Sequence, residues 1–314
     1  MHSRQNKQWN VGVLSKYSVV VPNYGRSRTL LDALNSVCIQ IHLPEEVYII
    51  DDCSPKPIEG LVNDLKQQKK IPILLEVNDA NRGAAYSRNR GANLTKSHYI
   101  AFLDSDDTWE EDKLEKQLKL AASGDFDLVY CDCWMMTRGV KLPSNKLLVD
   151  DRIDEHLTNG WTPPNTSTLL VKKDSFMKLG GFDESLKSCQ DHDFWMRAVS
   201  AGWKIGVVKE PLSNFRLDEN DRISFNHINR MHGVREFLRK WKPLISERKG
   251  YLGFTMFKLN YYCKASMPIF LRYVKFCKSR PAMELFLRYL AYNPYFYTQV
   301  PKMVAHKLKL LSSR

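Results

Sequence analysis

Three carboxylates, Asp104, Asp106 and Asp107, stand within four positions, directly after the apolar stretch 99–103. Carboxylates this close together repel one another unless something neutralises them. Mg²⁺ or Mn²⁺ does so readily, because these ions bind one or two protein carboxylates together with substrate phosphate oxygens. Residues two apart in an extended segment point the same way, so Asp104 and Asp106 can face one ligand. The cluster predicts metal-assisted departure of a nucleotide diphosphate.

A second acidic pair lies far along the chain, at Asp191 and Asp193 in the stretch QDHDFW. A carboxylate on an element separate from a metal site suits a general base, which must accept a proton from an attacking hydroxyl. The same residues are also favoured at a helix N-terminus, where the dipole attracts negative charge. His192 between them is interpreted as a helix-surface residue in preference to a metal ligand.

Three acidic residues, Asp107, Asp51 and Asp52, have structural alternatives that the sequence leaves open. Asp107 forms a capping box with Glu110 as readily as it binds a metal. Asp51 and Asp52 follow an apolar strand and are ordinary turn residues or ligand-binding residues.

The elements that position these residues alternate between strands and helices, which predicts an α/β fold with a mainly parallel sheet covered by helices on both faces. Ligands bind such a sheet beyond the carboxyl ends of its strands, where three acidic or polar segments converge. The region 137–166 is predicted as loop, and residues from about 231 onward as helix. The expected strands are 17–24, 46–52, 71–77, 98–104, 126–134, 167–171 and 203–208, and the expected helices are 28–40, 58–65, 81–94, 110–123, 172–181 and 191–202.

Charge divides the 314 residues unevenly. Residues 231–314 hold seventeen Lys or Arg and three acidic residues, a net charge of +14, whereas the preceding 230 residues hold 30 basic and 32 acidic groups. We therefore predict a catalytic domain over 1–230, with a nucleotide-binding part at about 17–134 and an acceptor part at about 135–230. A helical, basic and aromatic-rich C-terminal extension is predicted over 231–314.

Several classes of protein are disfavoured by composition. No run of 18 apolar residues could form a membrane-spanning helix, and the polar N-terminus lacks the apolar core of a signal peptide. The seven cysteines show no framework spacing, which favours a reducing cytoplasmic location. A dinucleotide dehydrogenase is disfavoured because no GxGxxG follows the first strand.

Five stretches in order resemble the inverting glycosyltransferases of family 2, which have the GT-A fold. The resemblance covers residues 17–217 and departs from the family at three positions: Cys53 replaces a common glycine, Gly25 a common asparagine, and Gln190 an acidic residue. The matching stretches are SVVVPNYGRSRTLLDALNSVCIQ, VYIIDDCS, NRGAAYSRNRGANLTKSHYIAFLDSDDTW, STLLVKKDSFMKLGGFDESL and QDHDFWMRAVSAGWKIGVVKEPLSNFR.

The resemblance implies a role for each matching site residue. It makes Asp191 the general base, with Asp193 as the alternative, and Asp106 the ligand of Mn²⁺ or Mg²⁺, with Asp107 assisting. Asp104 would contact the ribose. The nucleotide-binding set implied in this way is Pro22, Tyr24, Asp52, Arg88, Asp104 and Ser105.

The acceptor side is expected to include Trp161, Asn165 and Asp193. The first two belong to WTPPNTST, whose ring and hydroxyl groups suit a sugar, although a rigid loop is an equal alternative. The C-terminal extension carries sixteen aromatics among its basic residues, which favours an anionic membrane surface over a packed appendage, and both over nucleic acid.

Together these observations predict a metal-dependent, inverting glycosyltransferase that uses a nucleotide-diphosphate sugar, with UDP as the favoured nucleotide. The acceptor would be a glycan or lipid-linked hydroxyl in surface polysaccharide assembly, which places the enzyme at the inner face of the plasma membrane. The alternatives are a sugar nucleotidyltransferase, which would need a glycine-rich loop after the first strand, and a non-catalytic membrane- or nucleic-acid-binding module.

Overall fold

A computed structural model of the chain describes residues 15–69, 71–137, 139–144, 163–217 and 227–265. The chain forms two compact units, one ending at Phe237 and the other beginning at Leu238. Nine strands of the described residues form one sheet: β1 (Tyr17–Asn23), β2 (Glu46–Asp51), β3 (Ile73–Val77), β4 (Tyr99–Phe102), β5 (Thr108–Trp109), β6 (Leu128–Thr137), β7 (Val140–Pro143), β8 (Leu170–Lys172) and β9 (Ile205–Arg216).

Seven α-helices of the described residues accompany the sheet, together with a short 3₁₀ helix at Thr166–Thr168. The α-helices are α1 (Arg28–Cys38), α2 (Glu59–Gln68), α3 (Ala84–Leu94), α4 (Lys113–Gly124), α5 (Lys173–Leu179), α6 (Gln190–Ser200) and α7 (His227–Ala265).

The strand order is β3-β2-β1-β4-β8-β6-β9-β5, and β7 pairs with β6 at the side of this path. The segment β3-β2-β1-β4 is wholly parallel, as the alternation of strands and helices predicts. Antiparallel pairing begins at β8, which runs against both β4 and β6. Parallel pairs still account for most residue partners in the sheet.

The two faces of the sheet bury alternating residues of each strand, because successive side chains of a strand point to opposite faces. Val19 and Val21 of β1 pack with apolar residues of α1, α2 and α4 in one buried cluster. Val20 faces α3 on the other side, where a Cβ at Gly91 would lie 2.4 Å from its Cγ1. Glycine is therefore required for the close approach of α3 to the sheet.

The α3 face of the sheet continues as an aromatic cluster. The rings of Phe102, Phe176, Phe182 and Phe194 are fully or almost fully buried. The Phe182 and Phe194 ring centroids lie 4.7 Å apart, and Phe102 lies 5.3 Å from Phe176. Packing of this kind fixes α5 and α6 against β4, the strand that leads into the acidic segment.

One lysine is enclosed in the opposite face. Lys113 is 0% exposed, donates from Nζ to Gln117 Oε1 at 2.7 Å, and lies 4.2 Å from the centre of the Trp109 ring. Burial lowers the pKa of the Lys113 ammonium to about 8, and the nearby Cys131 thiol opposes this shift. Burial also raises the pKa of Cys131 to about 12.

The structure corrects the sequence prediction at several places, among them β9, which continues to Arg216 where the expected strand ends at residue 208. The helix expected from residue 110 begins at Lys113. The loop expected over residues 137–166 contains β7, and Thr108–Trp109 forms an unpredicted short strand against β9. These strands were missed because they are short, because Thr108–Trp109 pairs with the distant β9, and because β7 is exposed along its length where it pairs with the adjacent end of β6.

The helix α7 is interrupted at Gly250, whose φ of 68° and ψ of −178° lie outside the helical region. Tyr251 and Leu252 directly after it are 80% and 62% exposed. Among the described residues no helix has both the length and the apolar content needed to cross a bilayer. The remainder of the predicted C-terminal extension, residues 266–314, lies outside the described residues.

Candidate active site

Polar residues meet at the edge of the sheet where β1, β2 and β4 end. The register pairs Asn23 with Asp51 across β1 and β2, and Val20 with Phe102 across β1 and β4. Because these neighbouring strands are parallel, the residues that follow them emerge at one edge, as the sequence predicts. Asp52 and the acidic cluster are placed there.

The acidic cluster itself is compact: carboxylate oxygens of Asp104, Asp106 and Asp107 lie within 4.8 Å of one another. Mg²⁺ holds oxygen ligands at about 2.1 Å, so two ligands of one ion are at most about 4.2 Å apart. A small inward shift would let these side chains share one ion, and an all-oxygen donor set is what Mg²⁺ and Mn²⁺ prefer. The cluster therefore fits the predicted cation.

Asp107 is the most deeply buried carboxylate of the cluster, with 0% exposure. Its Oδ2 accepts hydrogen bonds from the Ser167 hydroxyl at 2.6 Å and from Asn165 Nδ2 at 3.3 Å. Its Oδ1 accepts from the backbone N–H of Arg216 at 3.3 Å. Asp107 therefore joins the acidic segment to the 3₁₀ helix region and to the end of β9.

The alternative role of Asp107 as a helix cap is wrong. Helix α4 begins at Lys113, and Asp112 is the residue that precedes it. The backbone N–H of Asp107 instead donates to Asp104 O at 3.0 Å in a tight turn. The capping box with Glu110 fails because β5 intervenes between Asp107 and the helix.

Asp106 faces the loop that follows β1. Its Oδ2 lies 3.3 Å from Arg26 Nη2, and its side chain is 8% exposed against 21% for Arg26. A buried carboxylate next to a guanidinium is stabilised in its ionised form. Arg26 was not singled out from the sequence, although a basic residue in the loop after the first strand was a signal that could have found it.

Asp52 is 4% exposed and holds the loop between β3 and α3. Its Oδ1 accepts from Asn78 Nδ2 at 2.7 Å and from the backbone N–H of Arg82 at 2.9 Å. Its Oδ2 accepts from the Gly83 N–H at 2.7 Å. Through these hydrogen bonds Asp52 holds the loop that leads into α3. Asp52 is therefore more than the ordinary turn residue that the sequence offered as an alternative.

Asp51 has a separate set of partners on the other face of β2. It accepts from Asn23 Nδ2 at 2.8 Å and from the Ser54 hydroxyl at 2.6 Å. The intervening turn passes through Cys53, whose φ of 61° lies in the left-handed region. Cys53 adopts without a glycine the conformation that glycine favours, at a cost of about 1–2 kcal/mol.

The remaining predicted nucleotide residues of this edge differ in exposure. Pro22 is buried within β1, and Tyr24 just beyond it is 49% exposed. Ser105 is 1% exposed, and its hydroxyl has no hydrogen-bond partner among the described residues. A buried hydroxyl without a partner costs free energy, so it marks a position where a ligand could donate or accept a bond.

Arg88 of α3 joins the two sides of the site. Its Nη2 lies 2.5 Å from Asp104 Oδ1, and its Nη1 donates to Gln190 Oε1 at 3.3 Å. Arg88 is 7% exposed, whereas the side chain of Asp104 is 25% exposed. The guanidinium also lies 5.4 Å from the ring centre of Phe182. Arg88 is therefore committed to a carboxylate and an amide within the protein.

Asp191 lies in the first turn of α6, next to Gln190, and is partly exposed. Its Oδ1 accepts from the backbone N–H of His192 at 2.9 Å, in the position expected of an acidic residue at a helix N-terminus. Cys189 precedes the helix with a φ of 62°, which is uncommon for a residue with a side chain. Such conformations persist where the surrounding structure imposes them.

The prediction that Asp193 lines the acceptor site is wrong. Asp193 is 0% exposed, and its Oδ2 is paired with Arg197 Nε at 2.8 Å. Arg197 also donates to the carbonyls of Leu179 and Gly181. The alternative of Asp193 as base is disfavoured for the same reason: its carboxylate is fully buried and is held by Arg197, which joins the end of α5 to α6.

The other two residues predicted at the acceptor site are Asn165 and Trp161, and the structure describes only the first of them. Asn165 lies next to Asp107, and its Oδ1 is buried without a hydrogen-bond partner among the described residues. Trp161 lies outside the described residues. His192 lies in the first turn of α6 and is partly buried, in agreement with its interpretation as a helix residue.

Ser167 is a site residue that sequence reasoning did not single out. Its hydroxyl bonds both Asp107 and the backbone N–H of Asp104, and its carbonyl accepts from Trp109 Nε1 at 2.7 Å. No local pattern identifies it, because its partners lie about sixty residues earlier in the chain.

An α/β sheet whose parallel strands end in an acidic cluster of this size is the arrangement that the sequence predicts for a glycosyltransferase. Residues 18–170 match the family described as Glycosyl transferase family 2. The chain belongs to this family, and it is a glycosyltransferase. Membership in this family favours glycosyl transfer over the nucleotidyl transfer and binding-module alternatives.

Curated relatives include the amylovoran biosynthesis glycosyltransferase AmsB of Erwinia amylovora. It is 30% identical over 212 residues, which cover 64% of this chain and 69% of the relative. A putative teichuronic acid biosynthesis glycosyltransferase of Bacillus subtilis, TuaG, is 30% identical over 215 residues, covering 67% and 81%.

Among solved structures, S. aureus TarS 1–349 in complex with UDP-GlcNAc superposes with a TM-score of 0.62 at 18% identity. The match covers 88% of this chain and 79% of that one. This likeness confirms the GT-A type of fold predicted from the sequence.

Proposed function

We propose that this protein is an inverting, metal-dependent glycosyltransferase that moves a sugar from a nucleotide-diphosphate sugar to an acceptor hydroxyl. The observation that carries the proposal is the bridge formed by Arg88. It joins Asp104 of the acidic cluster to Gln190, the residue next to Asp191. A donor site and a candidate base thus lie on either side of one buried guanidinium.

On the donor side, Pro22, Tyr24 and Asp52 hold the nucleotide base in this proposal, with Arg88 at the side of that pocket. Asp104 and Ser105 bind the ribose. The partly exposed carboxylate of Asp104 and the unpartnered hydroxyl of Ser105 are the polar groups that a ribose diol could contact. UDP is the proposed nucleotide, supported by the fold shared with TarS, whose structure holds UDP-GlcNAc.

Asp106 and Asp107 would hold Mn²⁺ or Mg²⁺. When bound, the cation stabilises negative charge that develops on the leaving diphosphate. The protein holds the two carboxylates in position for the cation. Ser167 and Asn165 orient Asp107 by hydrogen bonds, and Arg26, in the loop after β1, forms an ion pair with Asp106. Asp106 is the main ligand in this proposal, since Asp107 already accepts three hydrogen bonds.

Asp191 is the proposed base. It takes the proton of the acceptor hydroxyl while the acceptor oxygen bonds to the anomeric carbon. The bond from that carbon to the diphosphate oxygen breaks, and the diphosphate leaves with the electron pair. A single in-line displacement of this kind inverts the anomeric configuration. Asp191 suits the role because it is partly exposed in the first turn of α6, where an acceptor hydroxyl can reach its carboxylate.

We propose a glycan or a lipid-linked glycan as the acceptor, in assembly of a surface polysaccharide. The support comes from relatives named for amylovoran and teichuronic acid biosynthesis. In this proposal the catalytic domain spans 1–230, the extension spans 231–314, and Asn165 and Trp161 belong to the acceptor part. The enzyme works in the cytoplasm at the inner face of the plasma membrane, attached through its basic extension.

The test is a thermal-shift screen of nucleotide sugars with and without Mn²⁺, followed by turnover assays on the ligand that stabilises most. Stabilisation grows with ligand concentration over Kd, so one plate identifies the nucleotide. We expect UDP-sugars to raise the Tm, and Mn²⁺ to increase this shift. The product anomer, determined by NMR, must have the configuration opposite to that of the donor. A retained configuration, or equal shifts with every nucleotide, would overturn the proposal.

A further inference from the structure

Gln190 occupies a specific place between the two halves of the site. Its Oε1 accepts from Arg88 Nη1 at 3.3 Å, and its Nε2 donates to Leu186 O at 2.8 Å. Both ends of the side-chain amide are therefore engaged, one by helix α3 and one by the segment that precedes α6. A side chain held at both ends fixes the position of its own backbone, and the next residue along that backbone is Asp191.

Loss of the hydrogen bond between Arg88 and Gln190 would be unfavourable, because the guanidinium of Arg88 is buried. It is 7% exposed, and its Nε already lacks a hydrogen-bond partner among the described residues. Its two terminal nitrogens are satisfied by Asp104 and by Gln190. Removal of the Gln190 oxygen would leave a second buried N–H group of Arg88 without an acceptor, which is unfavourable because a buried donor loses its hydrogen bonds to water. The hydrogen bond between Arg88 and Gln190 therefore stabilises the position of α6 next to Arg88.

The absence of charge on the Gln190 side chain also affects its neighbours Arg88 and Asp191. A carboxylate at this position would compete with Asp104 for the same guanidinium and would add a negative charge beside Asp191. Like charges disfavour the ionised form of a neighbouring carboxylate. An amide accepts the hydrogen bond of Arg88 without either effect.

We propose that Gln190 is a positioning residue, which transmits the placement of Asp104 through Arg88 to the first turn of α6 and so sets Asp191 for proton transfer. This inference rests on the proposed role of Asp191 as base. Gln190 itself touches neither the donor nor the reacting atoms. It acts on the turnover step, because it orients the base, and has little effect on donor affinity.

The experiment compares Gln190→Leu, which has a similar size but no acceptor, with Gln190→Glu, which keeps an acceptor and adds charge. Gln67→Leu on the exposed surface of α2 is the matched control. We measure kcat, acceptor KM, UDP Kd by calorimetry, and Tm. Gln190→Leu should lower kcat at least tenfold while UDP Kd changes less than about twofold. Wild-type kcat in Gln190→Leu, or a loss of UDP affinity equal to the loss of kcat, would overturn the proposal.

The pH profile tests whether residue 190 lies beside the base. Gln190→Glu should retain more activity than Gln190→Leu at high pH, and the acidic limb of its kcat/KM profile should move to higher pH because its charge lies next to Asp191. An unmoved limb would mean that residue 190 is not adjacent to the group that takes the proton, and this result would overturn the proposal.

A double variant distinguishes failure of this inference from failure of the proposed base. If Asp191 is the base, Gln190→Leu combined with Asp191→Asn should be no slower than Asp191→Asn alone. Full additivity of the two losses would overturn the positioning role while leaving the base in place. An active Asp191→Asn enzyme would instead overturn the assignment of the base, and the positioning role with it.

Discussion

The Ser167 hydroxyl lies 2.6 Å from Asp107 Oδ2, and this hydrogen bond joins two segments of the chain that are sixty residues apart. Both residues are completely buried. Asp106, the neighbour of Asp107, is also buried but faces the guanidinium of Arg26. Two adjacent carboxylates therefore have different environments, and substitutions at them should have different consequences.

Asp106→Ala should abolish glycosyl transfer, with a loss of at least about a hundredfold, because it removes the proposed main metal ligand. It should also remove the effect of Mn²⁺ on nucleotide binding, while the circular dichroism spectrum stays that of the folded protein. Isothermal titration with UDP, with and without Mn²⁺, measures this directly. Asp79→Ala on the surface is the control. A Mn²⁺ effect of wild-type size in Asp106→Ala would contradict the metal assignment.

Asp107→Ala should lower the free energy of unfolding by about 2–4 kcal/mol, because it leaves the Ser167 hydroxyl and the Arg216 N–H without a buried acceptor. Asp106→Ala should cost less than this. Urea unfolding of both variants gives the comparison. Equal losses of stability in the two variants would mean that Asp107 is not the anchor of this edge.

Asp191→Asn should lower kcat at least about a hundredfold, the lower scale of general-base catalysis, with little change in UDP Kd. Asp193→Asn should instead lower Tm, since it weakens the buried pair with Arg197. Steady-state kinetics and thermal unfolding of both variants, side by side with the surface variant Asp64→Asn, provide the measurement. The assignment moves to Asp193 if that variant folds normally and is inactive while Asp191→Asn turns over.

Lys113 should make stability depend on pH in the alkaline range. Its pKa is about 8 in the folded chain against 10.5 as the ordinary value, so between these pH values the unfolded chain binds more protons. Stability of the wild type should therefore rise with pH relative to Lys113→Met, by on the order of 3 kcal/mol in total. The comparison cancels the contributions of titratable groups that do not interact with Lys113; the Cys131 thiol, whose pKa Lys113 lowers, is not one of them. Urea unfolding at several pH values from 7 to 10.5 measures the difference, and parallel curves would exclude it.

The proposed membrane contact should be electrostatic and should involve the exposed residues after Gly250. Intact protein should sediment with vesicles containing anionic lipid, and salt should weaken this binding because the screening length is about 10 Å at 0.1 M. Replacement of Tyr251 and Leu252 by Ser should reduce it further, whereas the same change at the exposed Val140 and Leu142 of β7 should not. Binding that is insensitive to both salt and these substitutions would leave only the packed-appendage alternative.

Much of the fold could be predicted because its signals are local. Apolar runs such as 47–50 form buried parallel strands, and the spacing of Leu30, Leu34 and Val37 produces the buried face of α1. The strand β5 has two residues and β7 is exposed along its length, so neither has a hydrophobic pattern of its own. Their partners, β9 and β6, decide that they are strands.

The sequence by itself determined which carboxylates gather at the edge of the sheet. A residue that directly follows a parallel strand must lie at the carboxyl edge of the sheet, and the strands could be recognised from their apolar runs. It also placed Asp191 in the first turn of a helix. Only the tertiary structure decided that Asp107 is an anchor, that Asp193 is enclosed with Arg197, and that Arg88 joins Asp104 to Gln190. The physical reason is distance along the chain. Arg88 and Gln190 are 102 positions apart, so their hydrogen bond depends on how α3 and α6 pack on the same face of the sheet, which no local pattern encodes.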